Sequence, residues 1–320
     1  MHQEMTTKVF VDGQEGTTGL QIHERLGRRA DIEVLAIDPG LRKDPAARAA
    51  LLNACDVAFL CLPDDASREA AVLTTNPKTR LIDASTAHRT DPAWTYGLPE
   101  LDSAQRAKLR DAKRVSVPGC HATGFVLIVR PLVDAGILPK DYPLTCHSLS
   151  GYSGAGKKLI AVNEGPRTRQ DKLHAPRPYA LTLKHKHLPE MHKHTGLAGP
   201  PLFMPVVGDY YQGMAVSVPL LPRLLARKVS ARDLYQALAD HYQGERFVKV
   251  LPLGSDAVLD GGFLDPMACN GSNRLDIFVF GNDDQVLVVA RFDNLGKGAS
   301  GAAVQSMNVM LGLDEGLGLE

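Results

Sequence analysis

An excess of charge of either sign is missing from this 320-residue chain, in which Lys plus Arg and Asp plus Glu number 36 each. That balance removes the global field expected of a nucleic-acid binder or a membrane-surface protein, and leaves small-molecule chemistry as the better expectation. Long apolar runs are missing as well. Met1 to Thr7 is polar and leads straight into a strand-like segment, so the chain shows no h-region of the kind a secretory signal needs, and nothing later resembles a membrane span. Cysteine is scarce: Cys55, Cys61, Cys120, Cys146 and Cys269 contain no CxxC pair and leave one thiol over, which predicts reduced thiols in the cytoplasm rather than a disulfide framework. Internal repeats and low-complexity segments are absent. What remains is an ordinary apolar and charged composition at a length that predicts a substantial core and two domains.

The first domain follows from alternation. Lys8 to Asp12 is a short β-branched run, glycines stand at 13, 16 and 19, and Leu20 to Arg29 has a helical pattern. A strand over Ile32 to Ile37, a helix over Pro45 to Asn53, a strand over Asp56 to Leu62, a helix over Ala66 to Thr74 and a strand over Arg80 to Asp83 continue the series. This βαβαβαβ rhythm predicts an α/β fold with a Rossmann-type doubly wound parallel sheet over residues 1–118. Beyond Leu144 the rhythm changes. Strands over Leu144 to Leu149, Leu202 to Val207, Gln212 to Val218, Phe247 to Leu251, Arg274 to Gly281 and Val286 to Phe292 are separated by longer loops, which predicts an α+β catalytic domain with a mixed sheet over 119–294. Within it Ala231 to Tyr242 reads as a helix capped by Ser230. A Gly-rich stretch, Leu295 to Gly301, opens a last helix, Ala302 to Leu311, and residues 295–320 are expected to complete the first domain.

Glycines 13, 16 and 19, with Gln14, Glu15, Thr17 and Thr18 between them, lie between a strand and a helix. Small residues there let the backbone approach a pyrophosphate whose charge is favoured at the helix N-terminus. The plain alternative is a solvated turn. Asp38, closing the second strand, suits an adenine ribose and hence NAD, while Arg42 and Lys43 suit a 2′-phosphate and hence NADP; both remain open here. Val115 to Gly124 runs into an apolar segment that places Cys120 at a helix start. Free N–H groups and the positive end of the helix dipole favour a thiolate there and stabilise an oxyanion. The competing reading, a small buried hydrophobe, fits Cys55 and Cys61 better, and Cys146 and Cys269 lack any catalytic context. His185 and His187, followed by Glu190, offer acid/base groups for a thiolate, with the carboxylate orienting a ring. A metal held by these histidines with His192 and His194 is the lesser alternative, and no metal is expected; His192 and His194 read as solvated surface.

Seven motifs in order carry a resemblance over essentially the whole chain. They are the Gly13 to Gly19 turn, Asp83 to Arg89, Tyr96 to Glu100, Pro118-Gly-Cys120, Ser150 to Lys157, His185 to Glu190 and Asn294 to Gly301. In these the chain resembles the shorter form of the N-acetyl-gamma-glutamyl-phosphate reductases of arginine biosynthesis. The resemblance implies a glyceraldehyde-3-phosphate dehydrogenase-like second domain and NADPH as cofactor. It implies that Cys120 attacks N-acetyl-glutamyl 5-phosphate, that phosphate leaves, and that the thioester is reduced to the 5-semialdehyde. His187 is then the acid/base, with His185 second and Glu190 orienting. Arg89 would meet phosphate or substrate carboxylate, a surface ion pair being its alternative. Ser85 would join the cofactor site, Ser153 and Gly154 would line the cofactor and thioester pocket, Ser153 also touching substrate, and Gly298 would face the nicotinamide. A homo-oligomer, dimer or tetramer, is implied too. The chain departs from the family at Val117 and His121, where Asn-Pro-Gly-Cys-Tyr is usual, which bears on positioning beside the thiol. Rival readings are an aspartate-semialdehyde or aminoadipate-type reductase, told apart by the pocket for an acetylated or free amine, and a non-catalytic NADPH-binding sensor, against which the retained Cys120 and histidines speak.

Overall fold

A computed structural model describes residues 6–166, 168, 171–254 and 258–319. The N-terminal β-branched run forms β1 (Thr7–Asp12), followed by α1 (Thr17–Gly27), β2 (Ile32–Leu35), α2 (Pro45–Ala54), β3 (Val57–Leu60) and α3 (Asp64–Leu73). Next come β4 (Arg80–Asp83), β5 (Thr95–Tyr96), α4 (Gln105–Asp111) and β6 (Arg114–Ser116). Local chemistry accounts for several of these starts. The Asp44 carboxylate caps α2 by accepting from the Ala47 N–H, with Pro45 at the first helical position, and α3 opens on Asp64 and Asp65 at its positive end. The six strands form one parallel sheet in the order β2-β1-β3-β4-β6-β5. Phe10, Leu52, Ala58, Leu60, Leu81 and Trp94 pack beneath it.

Helix α1 begins at Thr17, three residues before the expected Leu20. Gly16 stands extended as its N-cap and its N–H closes back on the Gly13 carbonyl at 3.0 Å, so Thr17, Thr18 and Gly19 are already helical. The glycine turn is thereby part of the helix N-terminus rather than a separate loop.

The second compact unit runs from Cys120 to Gly298. It contains α5 (Cys120–Asp134), β7 (Thr145–Gly151), α6 (Lys157–Glu164), β8 (Arg177–Pro178), α7 (Leu188–Thr195), β9 (Leu202–Gly208) and β10 (Met214–Leu220). It continues through α8 (Ala231–His241), β11 (Val248–Val250), β12 (Leu275–Gly281) and β13 (Val286–Phe292). These strands make a mixed sheet, β11-β12-β13-β10-β7-β9-β8, in which β7 with β9 and β11 with β12 are parallel and the other neighbours antiparallel. The apolar helix α5 lies against β10 and β13, flanked by α7 and α8. A full capping box between Ser230 and Asp233 starts α8 as expected. Strand β10 starts at Met214, two residues after the expected Gln212, because Asn294 takes the Gly213 N–H out of the ladder.

From Ala299 onward the chain belongs to the first unit. Helix α9 (Gly301–Leu311), entered through a π turn over Gly296–Ser300, packs on α4, α1 and β4. Arg29 donates to Asn308 at 2.7 Å and Gln305 to Glu100 at 2.8 Å, which ties the last helix to the sheet unit with buried polar contacts.

Candidate active site

The Gly13 turn occupies the carboxyl end of β1, the end at which doubly wound sheets bind ligands. Gly13 holds φ at +87°, and a Cβ there would overlap the Cys61 carbonyl, while one on Gly19 would overlap the Gly13 carbonyl. Only glycine permits this approach of backbone to backbone. The Thr17 hydroxyl, in the first turn of α1, is buried with no hydrogen-bond partner among the described residues, a polar group oriented for a ligand that is anionic or hydroxylated. These features fit a dinucleotide pyrophosphate. Gln14 lies half-buried within the turn. Asp38 accepts the Gly40 N–H at 2.7 Å, so its carboxylate shapes the loop after β2, and Arg42 pairs with Glu15 of the turn at 3.1 Å.

Ser85 uses its hydroxyl internally. It donates to Asp83 at 2.8 Å and accepts the Ala87 N–H. Burial alone would raise the Asp83 pKa, but His88, Ser67 and Ser85 all bond its carboxylate and hold it below the ordinary value. Arg89 is buried and donates to the carbonyls of Val117 at 2.9 Å and Ala84 at 3.2 Å, so the surface ion-pair alternative does not describe it. Its guanidinium joins the chain after β4 to the chain after β6.

In the second unit Cys120 is the first residue of α5, half-buried, with the helix N–H groups and dipole at its thiol. The other thiols are held as thiols. Burial pushes Cys55 up to about 12 and raises Cys61, Cys146 and Cys269. Cys61 is half-buried, its carbonyl lying beside the glycine turn.

Two imidazoles, His121 and His187, lie beside Cys120, and a third, His185, packs against both rings. His121, next on α5, shares hydrogen bonds with Ser148 Oγ through Nδ1 at 2.7 Å and with Tyr179 Oη through Nε2 at 2.8 Å. Its ring centroid lies 5.4 Å from His187 and 5.5 Å from His185. Burial, helped by the positive field of His185 and Lys186, drives the His121 pKa from 6.5 down to about 3, so the ring is neutral during turnover. Burial and the nearby Cys120 raise the Tyr179 pKa, keeping its hydroxyl protonated. His185 Nδ1 accepts the His187 N–H at 3.1 Å, which places the proton of a neutral His185 on Nε2. His187 is buried at the N-cap of α7, and Cys120, His121 and His187 each bring a ligand-type atom within 4.8 Å of the others. Glu190 is buried in the first turn of the same helix. His192 and His194 stand half-exposed in the last turn, outside this group.

Neutral His121 has a consequence for stability. The unfolded imidazole titrates near 6.5 and the folded one near 3, so through that window the unfolded chain binds more protons; stability is intact above pH 6.5 and is lost as pH falls toward 3. Urea unfolding at pH 7 and pH 4.5 should show a smaller acid loss for His121→Gln than for the parent. Equal losses would mean that His121 is not buried neutral.

The Gly-rich segment after β13 closes this group. Asn294 donates to Ser153 Oγ at 3.0 Å and accepts the Gly213 N–H at 2.7 Å; Asp293 accepts the Leu295 N–H at 2.8 Å, and its carbonyl accepts from Gly298 at 3.0 Å. Gly154 lies close enough that a Cβ would touch Asn294 Nδ2 at 3.2 Å. Gly298 lies against Cys120, since a Cβ on it would stand 2.9 Å from Cys120 Cβ. Tyr179, Ser148 and the anchoring role of Asp293 had no sequence signal as site residues. They come from separate strands and loops whose side chains meet only once the mixed sheet is assembled.

Two family models match the chain: "Semialdehyde dehydrogenase, NAD binding domain" over residues 2–109 and "Semialdehyde dehydrogenase, dimerisation domain" over residues 120–294. A protein of Nostoc sp. named N-acetyl-gamma-glutamyl-phosphate reductase 2 is 52% identical over 98% of this chain and 99% of its own. A Pseudomonas putida protein of the same name is 51% identical over 96% of this chain and 97% of its own. Among solved structures, an aspartate semialdehyde dehydrogenase from Francisella tularensis superposes with a TM-score of 0.70 at 15% identity, covering 95% of this chain and 100% of that one. Aspartate semialdehyde dehydrogenase II from Vibrio cholerae superposes with a TM-score of 0.69, also at 15% identity, covering 96% and 98%. At such identity the structures speak for the fold, a parallel nucleotide-binding sheet with a mixed-sheet unit. The full-length sequence matches speak for descent: the chain belongs to the N-acetyl-gamma-glutamyl-phosphate reductase family of semialdehyde dehydrogenases.

Proposed function

We propose that this chain reduces N-acetyl-glutamyl 5-phosphate to N-acetyl-glutamate 5-semialdehyde and phosphate, with NADPH, through a thioester on Cys120, as a step of arginine biosynthesis. The observation that carries this reading is a single thiol at a helix N-terminus with the His187 and His121 imidazoles beside it. Thiolate attack on the acyl phosphate forms the C–S bond as the carbonyl π electrons move to oxygen; the free N–H groups of α5 stabilise that oxyanion, and its collapse breaks the C–O bond to phosphate. The Gly13, Gln14, Glu15, Gly16, Thr17, Thr18 and Gly19 turn would hold the pyrophosphate of a reduced nicotinamide dinucleotide, which would supply hydride chemistry at the thioester. Hydride on the thioester carbon leaves a thiohemiacetal oxygen that takes a proton from His187; His187 takes it back as the C–S bond breaks, releasing the aldehyde and the Cys120 thiolate, and Glu190 and His185 fix its ring. Neutral His121, bonded to Ser148 and Tyr179, keeps the wall beside the thiol polar without adding charge. Ser153, held by Asn294, lines the thioester pocket with Gly154, and Arg89 receives an anionic group of the substrate. The test is phosphate-dependent NADP reduction with N-acetyl-glutamate semialdehyde, run beside aspartate semialdehyde. Preference for the aspartate compound would overturn the substrate, and no turnover with either aldehyde would overturn the activity.

Cofactor choice turns on Arg42. Its Nε is buried with no hydrogen-bond partner among the described residues, while Asp38 has its carboxylate on Gly40, which favours a 2′-phosphate and NADPH. Arg42→Ala should lower kcat/KM for NADPH about ten-fold or more and leave NADH nearly unchanged; equal losses would remove Arg42 from the phosphate.

Among the described residues no helix is long and apolar enough to cross a membrane. The enzyme works in the cytoplasm, where Cys120 stays reduced. A homo-oligomer is supported by the second sheet, whose Leu202, Met204, Pro219 and Leu287 side chains stand exposed. Light scattering should give a dimer or tetramer, and Met204→Glu should shift it toward monomer.

A further inference from the structure

We propose that Cys120, His121 and His187 form a seat for one thiophilic divalent cation of the Zn²⁺ or Co²⁺ kind, which holds the nucleophile in a reversible off state. Their donor atoms lie within 4.8 Å of one another. A tetrahedral ion with a metal–sulfur distance of about 2.3 Å and metal–nitrogen distances of about 2.0 Å separates its donors by about 3.3–3.6 Å. Closing the seat therefore asks for side-chain shifts of roughly 1 Å, with the backbone kept in place. The donor set also discriminates. One thiolate and two imidazoles suit zinc and cobalt, whereas magnesium and calcium require oxygen ligands that this group does not bring.

The surroundings are those of an imidazole prepared to ligate. Ser148 bonds His121 Nδ1 at 2.7 Å and fixes the ring from behind, as a partner outside the coordination sphere does for a metal-bound histidine. Nε2, now bonded to Tyr179 Oη at 2.8 Å, is then the nitrogen an ion takes, with the Tyr179 hydroxyl displaced. His187 is fixed at the start of α7, and half-buried Cys120 is reachable from solvent. Binding is independent of the proposed reaction; only its effect on turnover rests on Cys120 being the nucleophile.

The test uses the reduced, full-length protein without substrate. Co²⁺ titration should give the visible bands of a tetrahedral ion and a thiolate-to-cobalt charge-transfer band that Cys120→Ser removes. Zn²⁺ should slow iodoacetamide alkylation of Cys120 at least about ten-fold, with recovery on EDTA and no effect of Mg²⁺. His121→Gln and His187→Gln should each weaken Co²⁺ about ten-fold or more. Circular dichroism checks each fold, and if His121→Gln misfolds, His187→Gln carries the comparison. Absence of the charge-transfer band, or an affinity unchanged in every folded histidine variant, would overturn the seat. Failure of N-acetyl-glutamyl 5-phosphate as substrate would leave these readouts untouched.

Discussion

Cys120→Ala should abolish turnover, with kcat reduced by at least about 10³-fold while the protein keeps its fold and its nicotinamide affinity. The magnitude follows from the absence of a substitute. Among the other cysteines, burial holds Cys55, Cys61, Cys146 and Cys269 as thiols, and none opens a helix. Cys120 is the one thiol placed at the N–H groups of a 15-residue helix. Cys120→Ser separates two roles of the position. It retains shape and hydrogen bonding but offers a far poorer nucleophile, so it should be nearly as inactive as alanine and form no acyl-enzyme detectable by mass spectrometry. Appreciable turnover by either variant would exclude the thioester route.

Gly298→Val should lower kcat by about 10²-fold with little change in nicotinamide affinity. A Cβ on Gly298 would stand 2.9 Å from Cys120 Cβ and 3.3 Å from Cys120 Cα, inside van der Waals contact, and the Gly298 N–H is pinned to the Asp293 carbonyl at 3.0 Å. The segment cannot retreat easily, because Asp293 and Asn294 are bonded to Gly271, Leu295, Gly213 and Ser153. The strain therefore passes to the nucleophile, and displacement of a reacting atom by about 1 Å is costly on this scale. Stopped-flow acylation with the acyl phosphate would show it as a slower first step. A defect confined to KM for the nicotinamide would instead limit Gly298 to the cofactor contact that the resemblance implies.

What was legible in the sequence is what neighbouring residues encode. The β-branched runs fixed β1, β4 and β13 almost to the residue; Ser230 with Asp233 announced the cap of α8; and the proline and glycine before Cys120 announced a helix start at that thiol. Short elements such as β5, α4 and α7 left no comparable trace, since two-residue strands and polar one-face helices carry little periodicity. The glycine turn was legible as a cradle, but its extent was not: Thr17 to Gly19 look like loop and fold as helix because Gly16 caps it.

By itself, then, the sequence determined the α/β order, the mixed second sheet, and the Cys120 thiol and histidine pair to which the proposed chemistry is assigned, all properties of local pattern and motif order. Tertiary structure alone decided the surroundings of those residues. His121 meets Ser148 across 27 positions of chain and Tyr179 across 58, contacts that depend on β7 lying beside β9 and on β8 joining its far edge. Arg89, in sequence as ready for a surface ion pair as for a substrate anion, is drawn inside by two carbonyls from separate strand ends. Gly298 comes against Cys120, 178 positions earlier, for the same physical reason: buried polar groups must find partners, and strand order decides which residues are near enough to serve.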